Sequence, residues 1–249
     1  MEGVEGGEAE RWREVAVAAA RQAGAIIATA FRKTDGPENI ERKTVLDVVT
    51  ETDKECERVI MEALLGAFPT HRFIGEETAF PYICVCIGLV VNKKPLVGVV
   101  YAPLLDEMFT AISGQGAFLM TDQFVCRRSE LESAMLATGF PKYREYLNFQ
   151  TAAIYQALAN GSCALDMCGV AVGRLEAYYT CTGVRTWDFA AATVIVREAG
   201  GLVLDPTGGE LDIMGKRVMA TNGQEMADKI VGFIRDRNLP QDVGSLPDF

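Results

Sequence analysis

The stretch Tyr82–Met120, YICVCIGLVVNKKPLVGVVYAPLLDEMFTAISGQGAFLM, decides the fold. It holds four apolar runs, Ile83–Val91, Leu96–Tyr101, Glu107–Ile112 and Ala117–Met120, rich in the β-branched and aromatic residues that suit a pleated surface. Asn92-Lys-Lys-Pro95, Pro103-Leu-Leu-Asp106 and Ser113-Gly-Gln-Gly116 punctuate them as turns. Connections this short favour an antiparallel meander.

Outward from this core the pattern turns helical. On the N-terminal side Ala9–Lys33 places Trp12, Ala16, Ala19, Ala23, Ile26 and Ile27 on one face at helical spacing. A polar loop over 34–43 follows, then a short strand-like run Val45–Val49. Thr52 with Glu55 fits a capping box ahead of a second helix, whose buried stripe is Cys56, Val59, Ile60, Ala63 and Leu64. On the C-terminal side Tyr146–Ala159 is the best helical piece of a mixed region. Gly161-Ser162 opens an apolar helix from Cys163 to about Val172, and Ala177–Tyr179 is strand-like. Trp187-Asp188 starts a helix over Phe189–Ala199, closed by Gly200-Gly201. Leu202–Asp205 and Val218–Ala220 read as strands and Glu225–Arg235 as a last helix. Helices alternating with antiparallel sheet predict a layered α/β (α+β) fold without a Rossmann signature. The expected organisation is a disordered N-terminus 1–10, an N-terminal α+β part 11–128, a C-terminal α/β part 129–236 and a polar tail 237–249.

Composition sets the outer limits. With 49% hydrophobic and 23% charged residues the chain can bury a sizeable core. No uninterrupted run of ~18 apolar residues occurs, so no membrane span is expected, and the acidic start lacks the apolar region of a secretory signal. A formal net charge of −10 argues against nucleic-acid binding, which needs basic residues to displace counterions. An acidic protein handling an anionic phosphate must recruit cations locally, commonly through carboxylates. The 7 cysteines contain no C-x-x-C pair and lie in apolar stretches, so reduced core thiols and a cytoplasmic location are expected. His71, the 1 histidine, follows Pro69-Thr70 and reads as a solvated loop residue.

Four places hold acidic or small residues where apolar elements end. Asp47 is flanked by Leu46 and Val48, a costly position for a carboxylate unless it is paired or metal-bound. Gly75-Glu76-Glu77 follows a strand-like run and reads equally as a solvated turn. Asp188 suits the N-cap of its helix and keeps a second carboxylate oxygen for a cation. Gly161-Ser162-Cys163 begins a helix with no bulky side chain, where backbone N–H groups and the helix dipole suit a phosphate.

Together, D-x-V-T-x-x-D from Asp47, G-E-E from Gly75, G-S-x-A-L from Gly161 and W-D-x-A-A from Trp187 resemble the inositol monophosphatase family, from about Trp12 to about Ile234. The resemblance implies a layered αβαβα sandwich of the sugar-phosphatase type and a Mg²⁺-dependent phosphomonoesterase acting on inositol monophosphate. It makes Glu76 and Asp188 metal ligands, Asp47 and Glu76 catalytic, and Gly161, Ser162, Cys163 and Asp188 substrate-binding. It also implies a lithium-sensitive homodimer; neither nucleic acid nor membrane is an expected partner.

One departure accompanies the match. The family carries a Trp-x-x-Asp-Pro-Ile-Asp-Gly-Thr-x-Asn-Phe block after G-E-E, whereas here Glu77-Thr-Ala-Phe80 runs straight into Pro81-Tyr82. Part of the sheet and of the active-site loop is therefore expected to be missing. A second shortening is expected before Gly161, where a strand should precede the helix. Thr180 stands where the family often has an inositol-binding glutamate. The expected consequence is weak metal binding and reduced turnover, or a non-catalytic variant that dimerises with intact relatives.

Overall fold

The computed structural model describes residues 6–32, 41–42, 48–49, 51–74, 83–126, 134–138, 157–158, 161–181 and 183–236. Helix α1 (Gly6–Phe31) is followed by the short strands β1 (Glu41–Arg42) and β2 (Val48–Val49) and by α2 (Glu51–Ala67). The meander is β3 (Val85–Val91), β4 (Lys94–Ala102), β5 (Glu107–Ile112), β6 (Ala117–Leu119) and β7 (Asp122–Phe124). Then come β8 (Leu136–Thr138), β9 (Ala157–Leu158), α3 (Cys163–Ala171), β10 (Ala177–Thr180) and α4 (Thr186–Glu198). The order closes with β11 (Leu202–Leu204), β12 (Val218–Thr221) and α5 (Gln224–Asp236).

Two five-stranded sheets result, ordered β3-β4-β5-β6-β7 and β11-β12-β10-β8-β9. The first is antiparallel throughout, as its short turns require. In the second, β10 pairs antiparallel with β12 and parallel with β8.

The two-residue period of the strands sorts their side chains into separate cores. Val97, Val99 and Tyr101 of β4 face α1 and α2, whereas Val100 and Ala102 face the interior with α3 and α4. Tyr178, Val203, Val218 and Ala220 join that interior from the second sheet, while Tyr179 and Met219 face α5. The stacking is therefore helix, sheet, helix, sheet, helix, the predicted αβαβα arrangement.

Several local expectations are corrected. Gly6–Glu10 begins α1 instead of lying in a disordered arm; residues 1–5 and the tail 237–249 fall outside the described residues. α1 is long and apolar enough, by length and composition, to cross a membrane, yet here Trp12, Ala16, Ala20 and Ala23 are buried in the core it shares with α2 and the first sheet. α2 starts at Glu51, ahead of Thr52, and Glu55 bonds Arg58 at 2.6 and 2.9 Å, so that carboxylate serves an exposed i,i+3 pair and not a capping box. Ala157–Leu158 is strand, not helix, because it pairs in parallel with β8; residues 146–156 fall outside the described set. A strand, two residues long, therefore does precede Gly161.

Candidate active site

A cleft of about 680 Å³ opens where α2, β3 and the N-terminal ends of α3 and α4 meet. Asp53 and Cys56 of α2 line one wall, Cys84, Cys86 and Gly88 the other, and Ser162, Cys163, Trp187 and Asp188 close one end.

Backbone chemistry seats α3. Gly161 has φ +87, a left-handed conformation that a side chain would strain, and it delivers the chain to Ser162. Ser162 is the N-cap, its hydroxyl accepting from the Leu165 N–H at 3.3 Å, while the Asp166 N–H donates to its carbonyl at 3.0 Å. Backbone donors at such a start carry the positive end of the helix dipole toward the cleft, suiting an anion.

α4 is seated by close packing. A Cβ built on Gly88 would lie 3.1 Å from the Ala191 nitrogen, so the helix runs directly over the glycines of the sheet. Its N-cap is Arg185 and Asp188 is its third residue, so the helix begins three residues earlier than predicted. The Asp188 N–H donates to the Arg185 carbonyl at 3.0 Å, and Asp188 Oδ2 accepts from the Arg185 N–H at 2.7 Å. Thr186 Oγ1 donates to the Ile213 carbonyl at 2.9 Å, fixing this end against the turn that brings Met214 to the cleft.

Thiols fill the floor. Cys84 Sγ lies 3.5 Å from Ser162 Oγ. Burial pushes the Cys84 thiol up to about 11; the Ser162 hydroxyl works against this, and the charges of Asp188 and Asp166 add to it. Cys86 and Cys163 are also raised, by burial first. All 7 cysteines are free thiols, and these three are poor nucleophiles at neutral pH.

Of the predicted site residues, the structure brings Gly161, Ser162, Cys163 and Asp188 to one cleft. Asp47 and Glu76 lie outside the described residues. Thr180 is 1% exposed in β10, so it offers no side chain to the cleft. His71 is stacked on Phe68 with ring centroids 5.1 Å apart and lines the cleft, which corrects its reading as a solvated residue. Two acids escaped the sequence reading as site residues. Asp53 faces the cleft from the first turns of α2. Asp166, 2% exposed in α3, lies close enough to raise Cys84 and Cys163; its signal was a single acid inside an otherwise apolar helix.

The model of the inositol monophosphatase family matches residues 8–80 and 78–238, two pieces meeting at 78–80. Inositol monophosphatase 3 of Solanum lycopersicum is 43% identical, the alignment covering 87% of this chain and 94% of the relative. Inositol monophosphatase 1 of Bos taurus is 32% identical, covering 94% and 99%. Among solved structures, the extragenic suppressor protein suhB of Bartonella henselae superposes with a TM-score of 0.80 at 28% identity, covering 90% of this chain and 98% of that one. The inositol monophosphatase of Anabaena (Nostoc) sp. PCC 7120 gives 0.75 at 28%, covering 91% and 96%. The tomato alignment spans 254 positions but takes in 87% of these 249 residues, about 217, so about 37 positions fall on residues the relative has and this chain lacks.

Proposed function

The chain belongs to the inositol monophosphatase family, and we propose that it is a phosphomonoesterase releasing inositol and phosphate from inositol monophosphate, with turnover cut by an incomplete cation site. In the reaction, water adds to phosphorus, the bond from phosphorus to the inositol oxygen breaks, and that oxygen takes up a proton.

The observation that carries this reading is the convergence of the α3 and α4 N-termini on one cleft beside Asp188. The α3 start suits phosphate oxygens, with Gly161 and Ser162 shaping the backbone and Cys163 in the first turn. A phosphate held there faces the carboxylates of Asp53 and Asp188, an arrangement that calls for a cation between them.

Mg²⁺ is the cation the family implies; bound here it supplies charge to the phosphate oxygens and lowers the pKa of a water. The fit is partial. Among the described residues no group of three or more His, Cys, Asp or Glu is arranged to hold a metal. Asp188 offers one carboxylate, already capping Arg185, while the neighbouring wall is thiol and apolar side chain. Adding Glu76 and Asp47 from the sequence still leaves fewer oxygens than two hard cations want at ~6 each. Weak Mg²⁺ binding follows. The reduced thiols fit a cytoplasmic enzyme, and a homodimer remains the family expectation.

The deciding assay is phosphate release from inositol 1-phosphate with and without Mg²⁺ and with Li⁺ as inhibitor. Slow, Mg²⁺-dependent and lithium-sensitive release supports the reading. Turnover at the ~1–10³ s⁻¹ of ordinary enzymes would overturn the incomplete-site part, and release indifferent to Mg²⁺ would overturn the whole. The second reading, a non-catalytic chain that pairs with a complete relative, is favoured by the about 37 aligned positions this chain lacks out of 254.

A further inference from the structure

β3 pairs with β4 along one edge, and among the described residues no strand pairs with its other edge. Its seven residues give an edge of ~20 Å at ~3.3 Å per residue. Alternate residues along that edge turn their N–H and C=O groups away from β4, a template for one more strand. The side chains are apolar from Val85 to Val91, and the charges nearest the edge's end are Lys93 in the hairpin turn and Lys94 at the start of β4.

The cleft runs along this edge. Val85, Ile87, Leu89 and Val91 border it on one side, and Ile60 and Leu64 of α2 face them. This is a slot with an apolar far wall and a hydrogen-bonding near wall, the shape of a missing strand. The sequence comparison breaks at the same place: the family match is split at residues 78–80, just before β3. Over the whole alignment with the tomato relative, about 37 of the 254 positions have no residue in this chain.

We propose that the outer edge of β3 is a docking edge for an extended segment supplied in trans, namely the segment that a complete family member carries at this break. The backbone ladder supplies the attraction and the slot between β3 and α2 supplies the selectivity, as in other additions of a strand to a sheet edge. The proposal rests on the family reading for the identity of the segment, while the edge, open among the described residues, is read from the strand pairing.

The test uses the full chain and a fluorescent synthetic peptide with the residues that the tomato Inositol monophosphatase 3 carries between its counterparts of Glu77 and Pro81. Saturable binding by anisotropy at micromolar peptide is expected, lost when alternate backbone nitrogens of the peptide are methylated and absent for a scrambled peptide. No binding up to about 100 μM, or equal binding of the methylated or scrambled peptide, overturns the proposal. So does a dimer in sedimentation that excludes the peptide, which gives the edge to a second copy. The same samples are assayed for Mg²⁺-dependent phosphate release. A rise of tenfold or more supports complementation of the active site, whereas binding without any release sinks the phosphatase reading and leaves the docking edge standing.

Discussion

A Cβ atom built on Gly98 of β4 would lie 2.2 Å from the carbonyl oxygen of Ala191 in α4, closer than any real contact. The helix that carries Asp188 thus rests on the backbone of the sheet, and the depth of the cleft is set where no side chain intervenes. Gly98→Ala must lift α4 or bend β4, and overpacking of this kind costs ~1–3 kcal/mol. The thermal midpoint should fall by several degrees. Gly232→Ala in α5, where the new methyl meets nothing within 4 Å, should instead hold or raise it. Equal midpoints for the two variants would refute the close-packing account.

Ser162 separates capping from phosphate binding. Asp caps a helix as well as Ser does, so Ser162→Asp should change stability by under ~0.5 kcal/mol. It also places a negative charge at the helix start assigned to the phosphate, so Mg²⁺-dependent release should fall at least about tenfold. Ser162→Ala should show the opposite pattern, losing ~1 kcal/mol of stability with the cap. Chemical denaturation and steady-state release on the same preparations check both.

Asp188→Asn keeps an oxygen that can accept the Arg185 N–H now bonded at 2.7 Å, so the helix start should survive. The lost charge should remove any heat of Mg²⁺ binding in calorimetry and any Mg²⁺-dependent release. Glu76→Gln is expected to do the same. Binding that persists in both variants would place the cation elsewhere.

Burial holds Cys56 and Cys84 as neutral thiols, pushed up from 9.0 to about 12 and about 11. The folded state prefers the protonated form, so their contribution to stability is whole below about pH 9. It is lost as pH rises through the raised values, since the unfolded chain gives up the proton first. Denaturation midpoints should therefore decline from about pH 9 toward 11, with a shallower decline in Cys84→Ala. Alkylation of Cys84 by iodoacetamide near neutral pH should be slow although the residue faces the cleft.

Glu198, in the last turn of α4, accepts the backbone N–H groups of Gly114 and Gly116 at 2.8 Å each. One carboxylate thus clamps the β5–β6 turn to the central helix. Glu198→Ala leaves both donors without it and should cost ~1–3 kcal/mol, with faster amide exchange at residues 113–116. Unchanged exchange there would show that the turn holds itself.

The meander was legible because its signals are local. Apolar runs of strand length cut by Asn92-Lys-Lys-Pro95 and Ser113-Gly-Gln-Gly116 leave the chain little alternative to short hairpins. Helices α1 and α5 were equally plain from their apolar periodicity. Strands β7, β8 and β9 were not, since strands of two or three residues exist only through pairing that no short window of sequence contains. The start of α4 was misjudged for a related reason: an Asp suits the cap, where it accepts from an N–H two or three residues on, and also the third position, where it accepts from the cap residue's N–H, and only the backbone path distinguishes them.

By itself the sequence determined the residue types at each end of the cleft: an acid at 188, a small helix start at 161–163, and no carboxylate from Glu77 to Asp106 except Glu77 and Asp106 themselves. The family resemblance of its motifs adds that a block the family carries after Gly75-Glu-Glu77 is absent. Only the tertiary structure decided that Asp53, Asp166 and the thiols of Cys84 and Cys86 share that place, and that the outer edge of β3 borders the slot. The physical reason is that charge, propensity and periodicity act along the chain, whereas burial, a bare backbone approach such as Gly98 on Ala191, and an unpaired strand edge are properties of surfaces that meet only after folding.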